Sequence, residues 1–87
     1  EPMASKTVTV GSSVGLHARP ASIIAEAAAD YDDEILLSVP GEDPVDAGSS
    51  LLIMTLGAEK GASVTVESDN AEAVDKIAGL IEQDLDA

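Results

Sequence analysis

Eighty-seven residues make one small domain, in which folding hides only about 60% of the unfolded chain's surface. Seventeen Asp and Glu against four Lys and Arg give a net charge of −13, so no basic stripe can be built and neither nucleic acid nor anionic lipid is an expected partner. Zero cysteines remove disulfides, thiolate metal ligands and thiol nucleophiles together, while no apolar run approaches the roughly 18 residues that membrane insertion needs.

Glu1 and Pro2 precede Met3 and are set aside as a remnant of expression, so a single domain is expected over residues 3–87. The N-terminus carries no apolar stretch of the kind a signal peptide needs, and cytoplasmic localisation is expected. With 45% apolar residues the chain can form a core, but Tyr31 is its only aromatic residue. Val, Leu, Ile and Ala must therefore fill the interior. Lys6–Val10 alternates, with Val8 and Val10 on one face, and reads as a half-buried strand. Gly11–Gly15 follows as a loop. Ala18–Ala29 then reads as a helix with Ala21, Ile24, Ala25 and Ala28 on one stripe and Pro20 in the first turn, where its missing N–H costs nothing.

Glu34–Val39 alternates again, with Ile35, Leu37 and Val39 inward, and Val45–Ala47 forms a short returning strand. Ser49 or its neighbour caps a short apolar helix over Leu51–Leu56, which Gly57 stops. Ser63–Glu67 is a third alternating strand, with Val64 and Val66 inward. Asp69 with Glu72 makes a capping box for a last helix whose Val74, Ile77, Ala78, Ile81 and Leu85 share a face. Strands with one apolar face and amphipathic helices imply an α+β open-faced sandwich, an antiparallel sheet covered on one side.

The lone His stands in Gly15-Leu16-His17-Ala18-Arg19-Pro20-Ala21, where a loop meets a helix start. Backbone N–H groups there, that of Ala18 among them, point outward and favour an anion. Arg19 adds a fixed positive charge that can pair with phosphate oxygens, and His17 supplies a ring nitrogen that is nucleophilic when neutral. Such a combination can accept a phosphoryl group and hand it on. The plainer reading makes His17 a helix cap or a surface residue. No second His or Cys stands at metal-ligand spacing, so no metal and no cofactor is expected. Asp30, Asp32, Asp33 and Glu34 read as solvated surface.

This motif resembles the active-site signature of the HPr family, the histidine phosphocarriers of the bacterial phosphoenolpyruvate-dependent sugar phosphotransferase system. The resemblance runs from about Thr7 to Leu85 and includes Ser49–Gly57, then Lys60-Gly61 and a Val-rich strand. It implies four strands and three helices in the order βαββαβα. It also implies that the protein is a carrier and no free-standing enzyme. His17 would be phosphorylated on Nδ1 by Enzyme I and would pass the group to the EIIA domain of a sugar permease, with Arg19 stabilising it. A docking face would include Leu51, Met54 and Thr55, with Leu51 and Met54 outward and Ile53 and Leu56 inward. Ser49 corresponds to a serine that some members expose to an HPr kinase, although Gly48 and Ser50 depart from that pattern, and its plainer role is an N-cap. A monomer is expected. The alternative is a regulatory binding module on the same fold, acting on a kinase or transcription regulator through its phosphorylation state; the intact His17 and Arg19 favour the carrier.

Overall fold

Period-2 alternation and helical stripes resolve, in the computed structural model, into β1 (Ala4–Thr9), α1 (Ala18–Ala29), β2 (Ile35–Ser38), β3 (Val45–Asp46), α2 (Ser50–Thr55), β4 (Ser63–Ser68) and α3 (Ala71–Glu82). The structure describes residues 4–83; Met3 and the expected inward Leu85 lie outside them. The sheet has the order β1-β4-β2-β3, with every neighbouring pair antiparallel. The last strand in sequence therefore sits in the interior of the sheet, with Val64 opposite Val8 and Val66 opposite Leu37. These residues face the helices, so the sheet is covered on one side, as the alternation requires. On the open side the Thr7 and Thr65 hydroxyls meet at 2.9 Å across the β1–β4 ladder.

The core is aliphatic. Ile24 of α1, Ile53 of α2, and Ile77 and Ile81 of α3 close over Ile35, Leu37, Val64 and Val66 of the sheet, all essentially inaccessible to solvent. Each such side chain contributes about 1.5–3 kcal/mol relative to an exposed one. Ala21, Ala25 and Ala28 on α1, and Ala73 and Ala78 on α3, supply little area each, but with Pro20 and Val74 they fill the remaining buried positions of their helices.

Most element bounds shift by one or two residues from the reading of the sequence: β1 starts at Ala4 and ends at Thr9, β3 ends at Asp46, and β4 extends to Ser68. β2 runs only Ile35–Ser38, so that Val39, expected inward, lies just beyond it and is half-buried. The short helix spans Ser50–Thr55 because Ser49 is its N-cap, and Leu56 becomes the C-cap rather than the last helical residue. More consequentially, α3 has no Asp69–Glu72 capping box. Asn70 is the cap, its side-chain oxygen accepting from the backbone N–H groups of Glu72 at 3.0 Å and Ala73 at 3.2 Å. The helix starts one residue later than expected because Asn70 is held from three directions. Its own N–H donates to the buried Ser68 hydroxyl at 3.1 Å, and its amide donates to the Asp33 carboxylate at 3.0 Å. Glu72 is then the second helical residue, too early to reach back to the cap.

The far end of α3 anchors the loop that leads to His17. Gly11 N–H donates to the Ile81 carbonyl at 3.0 Å and the buried Ser12 hydroxyl donates to the Gln83 carbonyl at 3.3 Å, satisfying groups that a helix terminus leaves unpaired. A Cβ on Gly11 would collide with the Glu82 carbonyl. Replacing Asn70 by Ala is expected to lower stability by about 1 kcal/mol, whereas Asp69→Ala stays within about 0.5 kcal/mol of wild type; urea denaturation of the two variants checks which residue is the cap.

Candidate functional site

The path from β1 into α1 is pinned at each step. Val10 N–H donates to Ala62 and Gly61 N–H donates back to Val10, both at 2.9 Å, tying the end of β1 to the segment before β4. Gly15 N–H then closes a turn onto Ser12 at 3.0 Å, and Leu16 N–H donates to the Ala58 carbonyl at 2.9 Å. Gly15 has φ +76, and a Cβ on it would stand 2.5 Å from that same Ala58 carbonyl. Only glycine lets the backbone turn and approach this closely. Leu16 is buried immediately before His17, and Pro20 and Ala21 are buried after it. His17, Ala18 and Arg19, between these anchors, are exposed.

His17 is the N-cap of α1 through its backbone alone. It is extended (φ −84, ψ −167), its carbonyl accepts from Ala21 N–H at 2.9 Å, and its side chain makes no capping hydrogen bond. The ring is thus not consumed by the helix start. Pro20 has no N–H, so the orphan donors of the first turn reduce to those of His17, Ala18 and Arg19, and none of them has an acceptor among the described residues. An anion at the His17 ring would meet these donors and the positive end of the helix.

Two hollows flank the ring. One of about 350 Å³ is lined by Ser13, Val14, His17, Glu59 and Lys60. The other, about 160 Å³, is lined by Leu16, His17, Met54, Gly57, Ala58 and Glu59. Glu59 and Lys60 belong to a segment distant in sequence, and no local motif in the chain marks either as a neighbour of His17. On α2, Leu51 is 72% and Leu52 42% exposed, and Thr55 is exposed with its hydroxyl donating to the Leu52 carbonyl at 2.6 Å. Leu52 belongs to this exposed apolar face but was not among the residues expected there. Met54 does not point outward as expected. It is half-buried against the core and faces the smaller hollow, while Leu56, expected inward, is also only half-buried. In so short a helix Ile53 takes the single fully buried position, which leaves its neighbours at the flank. Ser49, half-buried, accepts from Leu52 N–H at 3.3 Å.

A third hollow, lined by Tyr31, Asp32, Asp33, Glu34, Asp46 and Gly48 among others, is acidic. Among the described residues no cluster of three or more His, Cys, Asp or Glu side chains is arranged to hold a metal ion. No helix of the described residues is long and apolar enough to cross a membrane.

A protein-family model described as "PTS HPr component phosphorylation site" matches residues 4–83. A phosphocarrier protein HPr of Streptomyces coelicolor is 38% identical, over 97% of this chain and 94% of the relative. Among solved structures, HPr-C-His of Thermoanaerobacter tengcongensis superposes with a TM-score of 0.87 at 30% identity, covering 98% of both chains. A phosphocarrier protein HPr from Bacillus anthracis gives a TM-score of 0.86 at 28% identity, covering 93% of this chain and 99% of the other.

Because Gly15 meets both a positive φ and the Ala58 carbonyl, Gly15→Ala is expected to destabilise the protein by more than about 1 kcal/mol. It should also displace the His17 resonances in an NMR spectrum while leaving those of the open sheet face unchanged.

Proposed function

Because the chain belongs to the HPr family of histidine phosphocarriers, we propose that His17 is the residue on which it carries the phosphoryl group. As a member of that family it transfers this group between Enzyme I and EIIA in the phosphotransferase system, as a carrier and not as a catalytic enzyme. The observation that supports His17 is its exposed ring, free of any capping bond, beside the unengaged N–H groups of Ala18 and Arg19.

In the accepting step a lone pair of the neutral imidazole, on Nδ1 by family resemblance, attacks phosphorus. The N–P bond forms as the bond from phosphorus to its donor on Enzyme I breaks. In the second step an acceptor on EIIA attacks, and the electron pair of the N–P bond returns to the ring. Both steps develop charge on the phosphoryl oxygens, which the Ala18 and Arg19 N–H groups and the Arg19 guanidinium stabilise. Exposure serves the chemistry, because two different proteins must reach the same ring nitrogen in line with phosphorus. The docking face is Leu51, Met54 and Thr55, with Leu52 added by its exposure. We take the protein to be a monomeric single domain over residues 3–87, acting in the cytoplasm.

Ser49 is the proposed point of contact for an HPr kinase. Its hydroxyl lies at the start of α2 and close to the docking face, so a phosphate there would add charge where Enzyme I and EIIA bind. Incubation with ATP and an HPr kinase is expected to yield a Ser49 phosphopeptide; its absence overturns this part.

With Enzyme I and labelled phosphoenolpyruvate, the wild type is expected to take up acid-labile label and His17→Ala none. Stable label, or label surviving in His17→Ala, overturns the assignment. Arg19→Ala should keep the wild-type melting curve, because Arg19 is exposed, and slow transfer by about 10- to 100-fold, the range expected for loss of a hydrogen bond to a charged group.

A further inference from the structure

We propose that Lys60 is a second phosphoryl-binding cation in this protein, its ammonium group engaging the oxygens of the phosphoryl group that His17 carries. The inference rests on the assignment of His17 as carrier and deepens it. Lys60 and His17 line one hollow, with Ser13, Val14 and Glu59 completing its wall. Their closeness is imposed by the backbone. Leu16 bonds to Ala58, and Val10 bonds to both Gly61 and Ala62, so the two segments are joined on either side of Lys60. Lys60 itself is the second residue of a four-residue turn closed by Ala62 N–H on the Glu59 carbonyl at 2.9 Å, and Gly61, the third, has φ +87. That is the geometry of a type II turn, which puts Lys60 at a defined corner facing His17.

Charge gives the placement its consequence. The chain has four cationic Lys and Arg side chains and a net charge of −13, a background that repels a group carrying about −1.5 to −2. Of the four only Lys60 lines the hollow: Lys6 lies on β1, Lys76 on α3, and Arg19 stands on the first turn of α1, two residues from His17, without lining it. Glu59 lines both hollows around the ring, so without Lys60 the wall facing His17 would be net negative and Arg19 the only nearby positive side chain. No hydrogen bond or ion pair to a described residue engages the Lys60 ammonium, which leaves it available to a phosphoryl oxygen.

The test is a ³¹P NMR titration of the protein phosphorylated by Enzyme I and phosphoenolpyruvate, on wild type, Lys60→Gln, Lys60→Arg and Lys60→Glu, with Lys76→Gln as control. A cation beside the dianion favours the second ionisation of the phosphoryl group. Removing it is therefore expected to raise that midpoint by about half a unit in Lys60→Gln, and by more in Lys60→Glu. Lys60→Arg should restore the wild-type midpoint and Lys76→Gln should leave it unmoved. The initial rate of transfer from Enzyme I should fall about two- to fivefold in Lys60→Gln at low salt, and the difference should shrink in 1 M salt. Lys60 is exposed, so all variants are expected to fold; the free phosphoprotein's midpoint is independent of docking. A Lys60→Gln midpoint equal to wild type overturns the role of Lys60 while His17 stands. A wild type that takes no acid-labile label overturns the carrier assignment and this inference with it.

Discussion

The hydrogen bond from Leu16 N–H to the Ala58 carbonyl, with Gly15 pressed against the same carbonyl, is the constraint on which the site depends. An exposed side chain cannot be positioned by its own packing. His17 is instead positioned by what is buried on either side of it, Leu16 before and Pro20 with Ala21 after. The Ala58 contact sets the direction in which the chain enters α1, and hence where the first turn's N–H groups point. It also draws Glu59 and Lys60 to the ring. One contact between distant segments therefore places the histidine, the free backbone donors and the local charge together.

The same arrangement explains how a domain with a thin core can hold a site of defined geometry. There is one aromatic residue in the chain, and the interior is assembled from isoleucine, valine, leucine and alanine. Backbone bonding supplies the precision that large side chains supply elsewhere. The end of α3 accepts from Gly11 and Ser12, β4 lies between β1 and β2, and the segment before β4 grips Val10. Each of these ties joins residues far apart in sequence, so the site loop is held by the whole fold and not by its own stiffness.

Acidity and phosphate chemistry coexist because electrostatics in water is short-ranged. Charges more than about 8 Å from the ring are largely screened at physiological ionic strength. A phosphoryl group on His17, as proposed, would meet the groups nearest the ring: the first-turn amides, Arg19 on the same turn, Lys60 and, in opposition, Glu59. A shallow, open hollow suits a carrier, which must present one nitrogen to two partners in turn. It does not need to enclose a substrate.

Much of this was legible in the chain. The alternation at Val8/Val10, Ile35/Leu37 and Val64/Val66, and the stripes Ala21–Ala28 and Val74–Ile81, specify strand and helix faces because burial follows backbone period. The local motif around His17 was equally legible, since a helix start and its flanking residues are determined within a few positions. What tertiary structure decided were the matters that depend on distant segments. Asn70 displaced Asp69 as the cap of α3 because Ser68 and, from the far end of the turn before β2, Asp33 hold it. Met54 turned toward the ring because a six-residue helix with Ile53 buried has only a flank left to offer. Lys60 reached His17 because strand pairing and the Leu16–Ala58 bond bring their loops together. Periodicity in a sequence reports which face of an element is buried; only the pairing of elements determines which exposed residues become neighbours, and here that pairing completes the charge around the lone histidine.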